Sequence, residues 1–163
     1  MDEKLKKYLE NNDVRYILHK HAPVFTVAES RIDRDIKNIP GLHCKTLFLK
    51  DDKGNFYLVG MPAEKILNSK KFRQVTGSRK IRFSTPEELK EKIGLTPGSV
   101  SIFGAFYIRG EDSSIKIVID KKIWDAEIVG FHPNINTETL EIRHGDLEKF
   151  YKSLKCRKDI LEI

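Results

Sequence analysis

Apolar residues recur at helical spacing near the start of the chain, where Leu5, Tyr8 and Leu9 stand among charges until Asn11-Asn12-Asp13 ends the run, so a short amphipathic helix is expected over 2–10. The period then drops to two, and 14–20 alternates as a strand does. Thr26-Val27-Ala28-Glu29 has the form of a capping box, in which the Thr hydroxyl meets the N3 amide and the Glu reaches back; a second helix is expected to start there and to end before Pro40-Gly41. Two apolar runs, 43–49 and 56–61, flank the polar turn 50–55 and predict a hairpin. A helix over 68–76, stopped by Gly77, and a short strand at 80–83 follow. Thr85-Pro86-Glu87-Glu88 supplies an N-cap, a proline at N1 and a glutamate at N3, with Gly94 at C′, so a helix is bounded at both ends. After the loop 95–101, strands are predicted at 115–120, 128–131 and 139–143, and Asp146 is expected to cap a last helix carrying Leu147, Phe150, Tyr151 and Leu154. About seven strands with helices scattered between them, and no regular βαβ alternation, predict an α/β domain on a mixed sheet or open barrel rather than a doubly wound parallel sheet.

One polar residue breaks the pattern. Within His43-Cys44-Lys45-Thr46-Leu47-Phe48-Leu49, strand alternation puts Lys45 on the side of Leu47 and Leu49, the side such a strand turns toward a core. An amine there must find an anionic partner, lose its proton or reach back to water, because an unpaired buried charge is costly. A strand-end lysine with a packed stem and a solvated head satisfies this requirement, and so does a site for an anionic ligand.

Composition narrows the class. The 163 residues, 39% hydrophobic and 33% charged, suit one soluble domain over 1–163, and the apolar runs are strand-sized, far short of the roughly 18 residues a membrane helix needs. The start, Met1-Asp2-Glu3-Lys4-Leu5-Lys6, lacks the apolar core of a secretory signal, and Cys44 and Cys156 form neither a metal-ligand nor a disulfide-framework spacing, so a reducing cytoplasm is the expected location. Thirty Lys plus Arg against twenty-four Asp plus Glu give a formal charge of +6, a sign that favours approach to a polyanion such as RNA.

Glycine-rich phosphate loops, G-x-S-x-G elbows and HExxH pairs are absent from the sequence. His19 and His21 are two apart at a strand end and could face the same way, as a metal pair with no third ligand evident or in surface and packing roles. Gly98-Ser99-Val100-Ser101 reads either as a turn entering a strand or as a loop whose backbone N–H groups meet a ligand. His132, before Pro133, is open to the same two kinds of reading.

Taken in order, His21-Ala22-Pro23, Gly41-x-x-Cys44-Lys45-Thr46-Leu47-Phe48-Leu49-Lys50-Asp51, Tyr57-Leu58-Val59, Pro97-Gly98-Ser99-Val100-Ser101, Val118-Ile119-Asp120 and Phe131-His132-Pro133-x-x-Asn136-Thr137 resemble the YbaK/ProX-type editing proteins, relatives of the insertion domain of bacterial prolyl-tRNA synthetase. The similarity runs over about 14–154. It implies a single α/β domain with a curved, mostly antiparallel mixed sheet, acting in trans to hydrolyse the ester between a wrong amino acid and the terminal adenosine of tRNA, as deacylases for Ala-tRNA(Pro) and Cys-tRNA(Pro) do. It also implies Lys45 and Gly98 as catalytic positions, and Thr46, Ser99, Val100, Ser101, Ile102 and His132 as substrate contacts. No metal or other cofactor is implied. The implied partners are the tRNA acceptor end carrying a small amino acid and prolyl-tRNA synthetase, with no membrane.

The chemistry suits those residues. An aminoacyl ester is already activated, so the protein must orient it, admit a water and select a small side chain. Lys45 could hold a phosphate or ester oxygen as a point charge, and loop amides could hold the carbonyl oxygen as charge develops on it. In the family a neighbouring ribose hydroxyl is thought to assist the water. Three positions depart from the family pattern: Thr46 stands where Asn is frequent, Ile102 replaces the proline of Gly-x-x-x-Pro, and Tyr107-Ile108 replaces an Asn-Asp pair. Ile frees φ and restores an N–H, which favours an alternative function, a module that binds an aminoacyl-tRNA or an amino acid without hydrolysis.

Overall fold

A computed structural model describes residues 1–23, 28, 33–108 and 114–163. Helix α1 (Glu3–Asn11) starts at Asp2, whose carboxylate accepts from the Leu5 amide, and buries Leu5 and Leu9. Strand β1 (Ile17–Lys20), the short helix α2 (Arg34–Lys37) and the long strand β2 (Leu42–Lys50) follow. Of the helix expected from Thr26, all but Ala28 of the proposed capping box lies outside the described residues. β2 turns into β3 (Phe56–Pro62) as predicted, and the turn is held by the buried Asp51 carboxylate, which accepts from Lys53 N, Asn55 N, Asn55 Nδ2 and the Tyr57 hydroxyl.

Helix α3 (Ser69–Thr76) and strand β4 (Arg82–Phe83) come next. Helix α4 (Pro86–Ile93) carries the full capping box, with Thr85 accepting from Glu88 N and Glu88 from Thr85 N, and ends at Gly94 in the left-handed conformation at φ 71°. The segment Ile102–Tyr107 is a 3₁₀ helix rather than a strand. The chain closes with β5 (Ile115–Asp120), α5 (Lys121–Trp124), β6 (Ile128–Phe131), β7 (Glu138–Arg143), α6 (His144–Ser153) and β8 (Arg157–Leu161).

The eight strands form one sheet, ordered β1-β7-β6-β2-β3-β5-β8, with β4 set against β2. Pairing is mixed. β2 runs antiparallel to β3 and β4, as do β1 and β6 to β7, while β2–β6, β3–β5 and β5–β8 are parallel. The predicted curved mixed sheet is thus present and unclosed. Two features depart from the sequence reading. Asp146 does not cap α6: the helix starts two residues earlier, where the His144 amide already bonds Glu127 O, and Asp146 instead accepts from Arg15 N and Lys149 Nζ. β8 escaped prediction because Arg157-Lys158-Asp159 reads as polar. Lys158 there also closes the end of α6, its ammonium donating to the carbonyls of Tyr151, Lys152 and Leu154.

The sheet has two unlike faces. One carries the main core, to which β2 gives Cys44 and Phe48, β6 gives Val129 and Phe131, and β7 gives Leu140 and Ile142. The other is apolar only at the β3-β5-β8 end, where Leu49, Val59, Met61 and Val118 pack under Phe72 of α3. At the β1-β7-β6 end that second face is polar.

Candidate active site on the polar face of the sheet

Lys45 sits on β2 opposite Met61, facing the second, partly polar side. Register assembles its neighbours. β1 pairs His19 with Thr139, β7 pairs Leu140 with Phe131, and β6 pairs Gly130 with His43. Carrying the β6–β7 ladder one residue on sets Thr139 beside His132, and alternation puts His132 on the same sheet face as Lys45, although β6 pairs with β2 only at Leu42 and His43. Gly130 leaves the strip shallow where it crosses β6.

Hydrogen bonds fix the histidines. His132 Nδ1 lies 3.1 Å from the Glu138 carbonyl, which can only accept, so Nδ1 carries the proton and Nε2 keeps its lone pair. His21 bonds Ala22 O through Nδ1 at 2.8 Å, and its Nε2 meets the Thr139 hydroxyl at 3.0 Å. The His21 and His132 rings meet edge to face, 6.1 Å apart. His19 bonds Glu141 at 2.8 Å. Burial pushes His132 below the ordinary imidazole value; the Glu138 bond opposes this and His21 adds to it. A neutral acceptor nitrogen thus sits on the lysine's face.

Lys45 makes no hydrogen bond or ion pair among the described residues, and partial burial lowers its pKa by disfavouring the charged form. It borders a cleft of about 340 Å³ with Leu47, Leu49, Ile66, Leu67, Ser69, Ile81, Arg82 and Phe83. Cys44, on the opposite face, is no nucleophile: burial drives its thiol far above the ordinary value, and Sγ donates to Leu42 O.

Thr46 points to the main-core side. β2 is flanked by β6 only at Leu42 and His43 and by β4 only at Leu49 and Lys50, so a gap in the sheet opens beside residues 44–47. His43 O and Asp51 N bond toward β3, whereas Phe48 O accepts from Ser84 N on the other side; the alternation turns the peptide groups of Thr46 into the gap. Its buried hydroxyl has no partner, and it lines a second cleft of about 200 Å³ with Phe83, Ser84, Pro97 and Val100 among others. Leu47 and Phe83 border both clefts.

The structure brings Thr46 and Val100 into one cleft, with Lys45 in the adjoining one, and puts His132 on the same sheet face as Lys45. The other loop positions are placed differently. Gly98 lies at an exposed turn with φ 86°, and Ser99 closes that turn through bonds to Thr96. Ser101 is buried and starts the 3₁₀ helix by accepting from Phe103 N. Ile102 is fully buried on the main-core side, so close to β3 that a Cβ on Gly60 would lie 2.7 Å from Ile102 Cγ2. Among the described residues no three His, Cys, Asp or Glu side chains are arranged to hold a metal ion.

The family model for the aminoacyl-tRNA editing domain matches residues 21–150, a span that includes β2, the loop at 98–102 and His132. The chain belongs to that family. It is 34% identical to the prolyl-tRNA editing protein ProX of Acetoanaerobium sticklandii, over 89% of this chain and 87% of that protein. It is 30% identical to the prolyl-tRNA synthetase associated domain-containing protein 1 of Xenopus laevis, over 92% and 89%. Among solved structures it shares its fold with a hypothetical protein (TM-score 0.72, 21% identity, 96% and 98% covered) and with a proposed trans-editing enzyme for prolyl tRNA synthetase (TM-score 0.71, 16% identity, 99% and 97% covered).

Sequence reasoning did not single out Thr139, Phe83 or Arg82. Thr139 follows from face alternation once β7 is paired with β1, a pairing of strands more than a hundred residues apart that spacing alone does not disclose. Phe83 and Arg82 occupy a two-residue strand, too short for any periodicity to mark.

Proposed function

We propose that this chain is a trans-acting aminoacyl-tRNA deacylase that clears a small amino acid, alanine or cysteine, from mischarged tRNA(Pro). The observation that carries the reading is the unpartnered ammonium of Lys45 on the same sheet face as neutral His132, in a chain of the editing family whose relatives include a prolyl-tRNA editing protein. Water oxygen attacks the ester carbonyl, the bond from that carbon to the ribose oxygen breaks, and the water's proton ends on the ribose oxygen. The products are a free amino acid and an intact tRNA 3′ end. Lys45 holds a phosphate or ester oxygen by charge, and the neighbouring ribose hydroxyl guides the water. Accommodation of a small side chain fits the limited room of the cleft that Thr46 helps line, about 200 Å³.

The test is a panel of purified Ala-tRNA(Pro), Cys-tRNA(Pro), Pro-tRNA(Pro) and other mischarged tRNAs. Release of alanine or cysteine well above the rate in buffer, with Pro-tRNA(Pro) spared, is expected. Tight tRNA binding without release of any amino acid would replace the enzyme by a non-hydrolytic binding module, a reading favoured by Ile102, which stands buried in the core at the position of the family's loop proline.

A further inference from the structure

From Lys65 to Phe83 the chain carries seven Lys and Arg and no Asp or Glu, more than the whole formal net charge of +6. Lys65 pairs with the buried Asp120, while Lys70, Lys71 and Arg73 lie on α3 and Arg79, Lys80 and Arg82 on the turn and strand that follow it. Phe72 anchors α3, fully buried and edge-on to Tyr57 at 5.5 Å, so Lys70 and Arg73, three apart, share the opposite, exposed side. Lys80 is exposed on the turn before β4, which is tied to the β2–β3 hairpin by the bond from Asp52 N to Arg79 O.

Neighbouring acids take some of the charge: Lys71 pairs with Glu162, Arg79 with Asp52 and Arg82 with Glu88. Lys70, Arg73 and Lys80 make no ion pair among the described residues. This basic face opens directly onto the Lys45 cleft, whose rim includes Ser69, Ile81, Arg82 and Phe83. At that rim Phe83 is 67% exposed, a flat apolar ring between the cations and Lys45.

We infer that the α3–β4 face is the docking surface for the acceptor stem of a tRNA. Lys70, Arg73 and Lys80 take backbone phosphates, and Phe83 stacks a base of the unpaired 3′ end as it passes to Lys45. Exposed cations without carboxylate partners suit a phosphate backbone, and an exposed aromatic ring suits an unpaired base. The inference rests on the deacylase reading, to which it adds where the RNA lies.

The experiment compares the wild type, Lys70→Glu/Arg73→Glu/Lys80→Glu and a control of equal charge change on the distant helix α1, Lys4→Glu/Lys6→Glu/Lys7→Glu. Fluorescence anisotropy measures binding of uncharged tRNA(Pro) at several salt concentrations. Kinetics use Ala-tRNA(Pro) and the minimal ester 3′-O-alanyl-adenosine. The patch variant is expected to raise Kd and KM for tRNA by about tenfold or more and to flatten the slope of log K against log salt by about three, with kcat and alanyl-adenosine hydrolysis nearly unchanged. Phe83→Ala is expected to raise KM for tRNA without altering the salt slope. Equal losses in the α1 control, or a patch variant within about twofold of wild type, would overturn the surface. If the wild type hydrolyses neither substrate, the deacylase reading fails, while the anisotropy comparison still decides where tRNA docks.

Discussion

At the candidate site Lys45 has no carboxylate partner among the described residues and lies on the same sheet face as the imidazole of His132, which burial keeps neutral. Burial disfavours the charged form of both side chains, while the Glu138 carbonyl assigns the His132 proton to Nδ1 and partly opposes the fall in its pKa. Because the folded pKa of His132 lies below its unfolded value near 6.5, the folded state resists protonation there. Its contribution to stability is fully present above about pH 6.5 and is lost as pH falls from there through the folded value. Urea unfolding of wild type and His132→Asn between pH 7.5 and pH 5 checks this: wild type is expected to lose stability over that window and the variant to lose less. Parallel curves would mean that His132 is not held neutral by the fold. The window stays above the range in which Asp51 and Glu88, both held below their ordinary values, take up protons.

At the scale of elements, β3 and the 3₁₀ helix are pressed together at Gly60, where Ile102 fills the space of a side chain. Gly60→Ala is expected to cost about 1–3 kcal/mol by overpacking. Ile102→Ala removes the offending methyl at the expense of a cavity, so the double variant should be less destabilised than the two singles summed, a coupling that chemical denaturation measures directly. Strict additivity would mean that the two residues do not meet. These elements also mark how far the sequence could be read. The α4 caps and the β2–β3 hairpin were legible, since each depends on neighbours within a few residues; alternation also grouped Lys45 with Leu47 and Leu49, but on the side expected to face a core, whereas the main core takes Cys44 and Phe48 and Lys45 lies on the other face. The 3₁₀ helix, β8 and the row from His19 through Thr139 to His132 were not legible, because each is set by strands brought together from far apart in the chain.

For the whole molecule, a half-polar sheet face, a gap beside β2 and a basic flank lead from solvent to one cation, and the chain's editing-family membership supplies the chemistry that such a path would serve. Lys45 contributes little to the core, so its truncation is expected to leave folding and bulk tRNA affinity nearly intact. The most direct test is the single-turnover rate of amino acid release from Ala-tRNA(Pro) and Cys-tRNA(Pro), at saturating protein, for wild type and Lys45→Ala. The account predicts release by the wild type far above the buffer rate and a fall of roughly a hundredfold or more in the variant, with the CD spectrum and thermal midpoint little changed. Equal rates for the two proteins would contradict it.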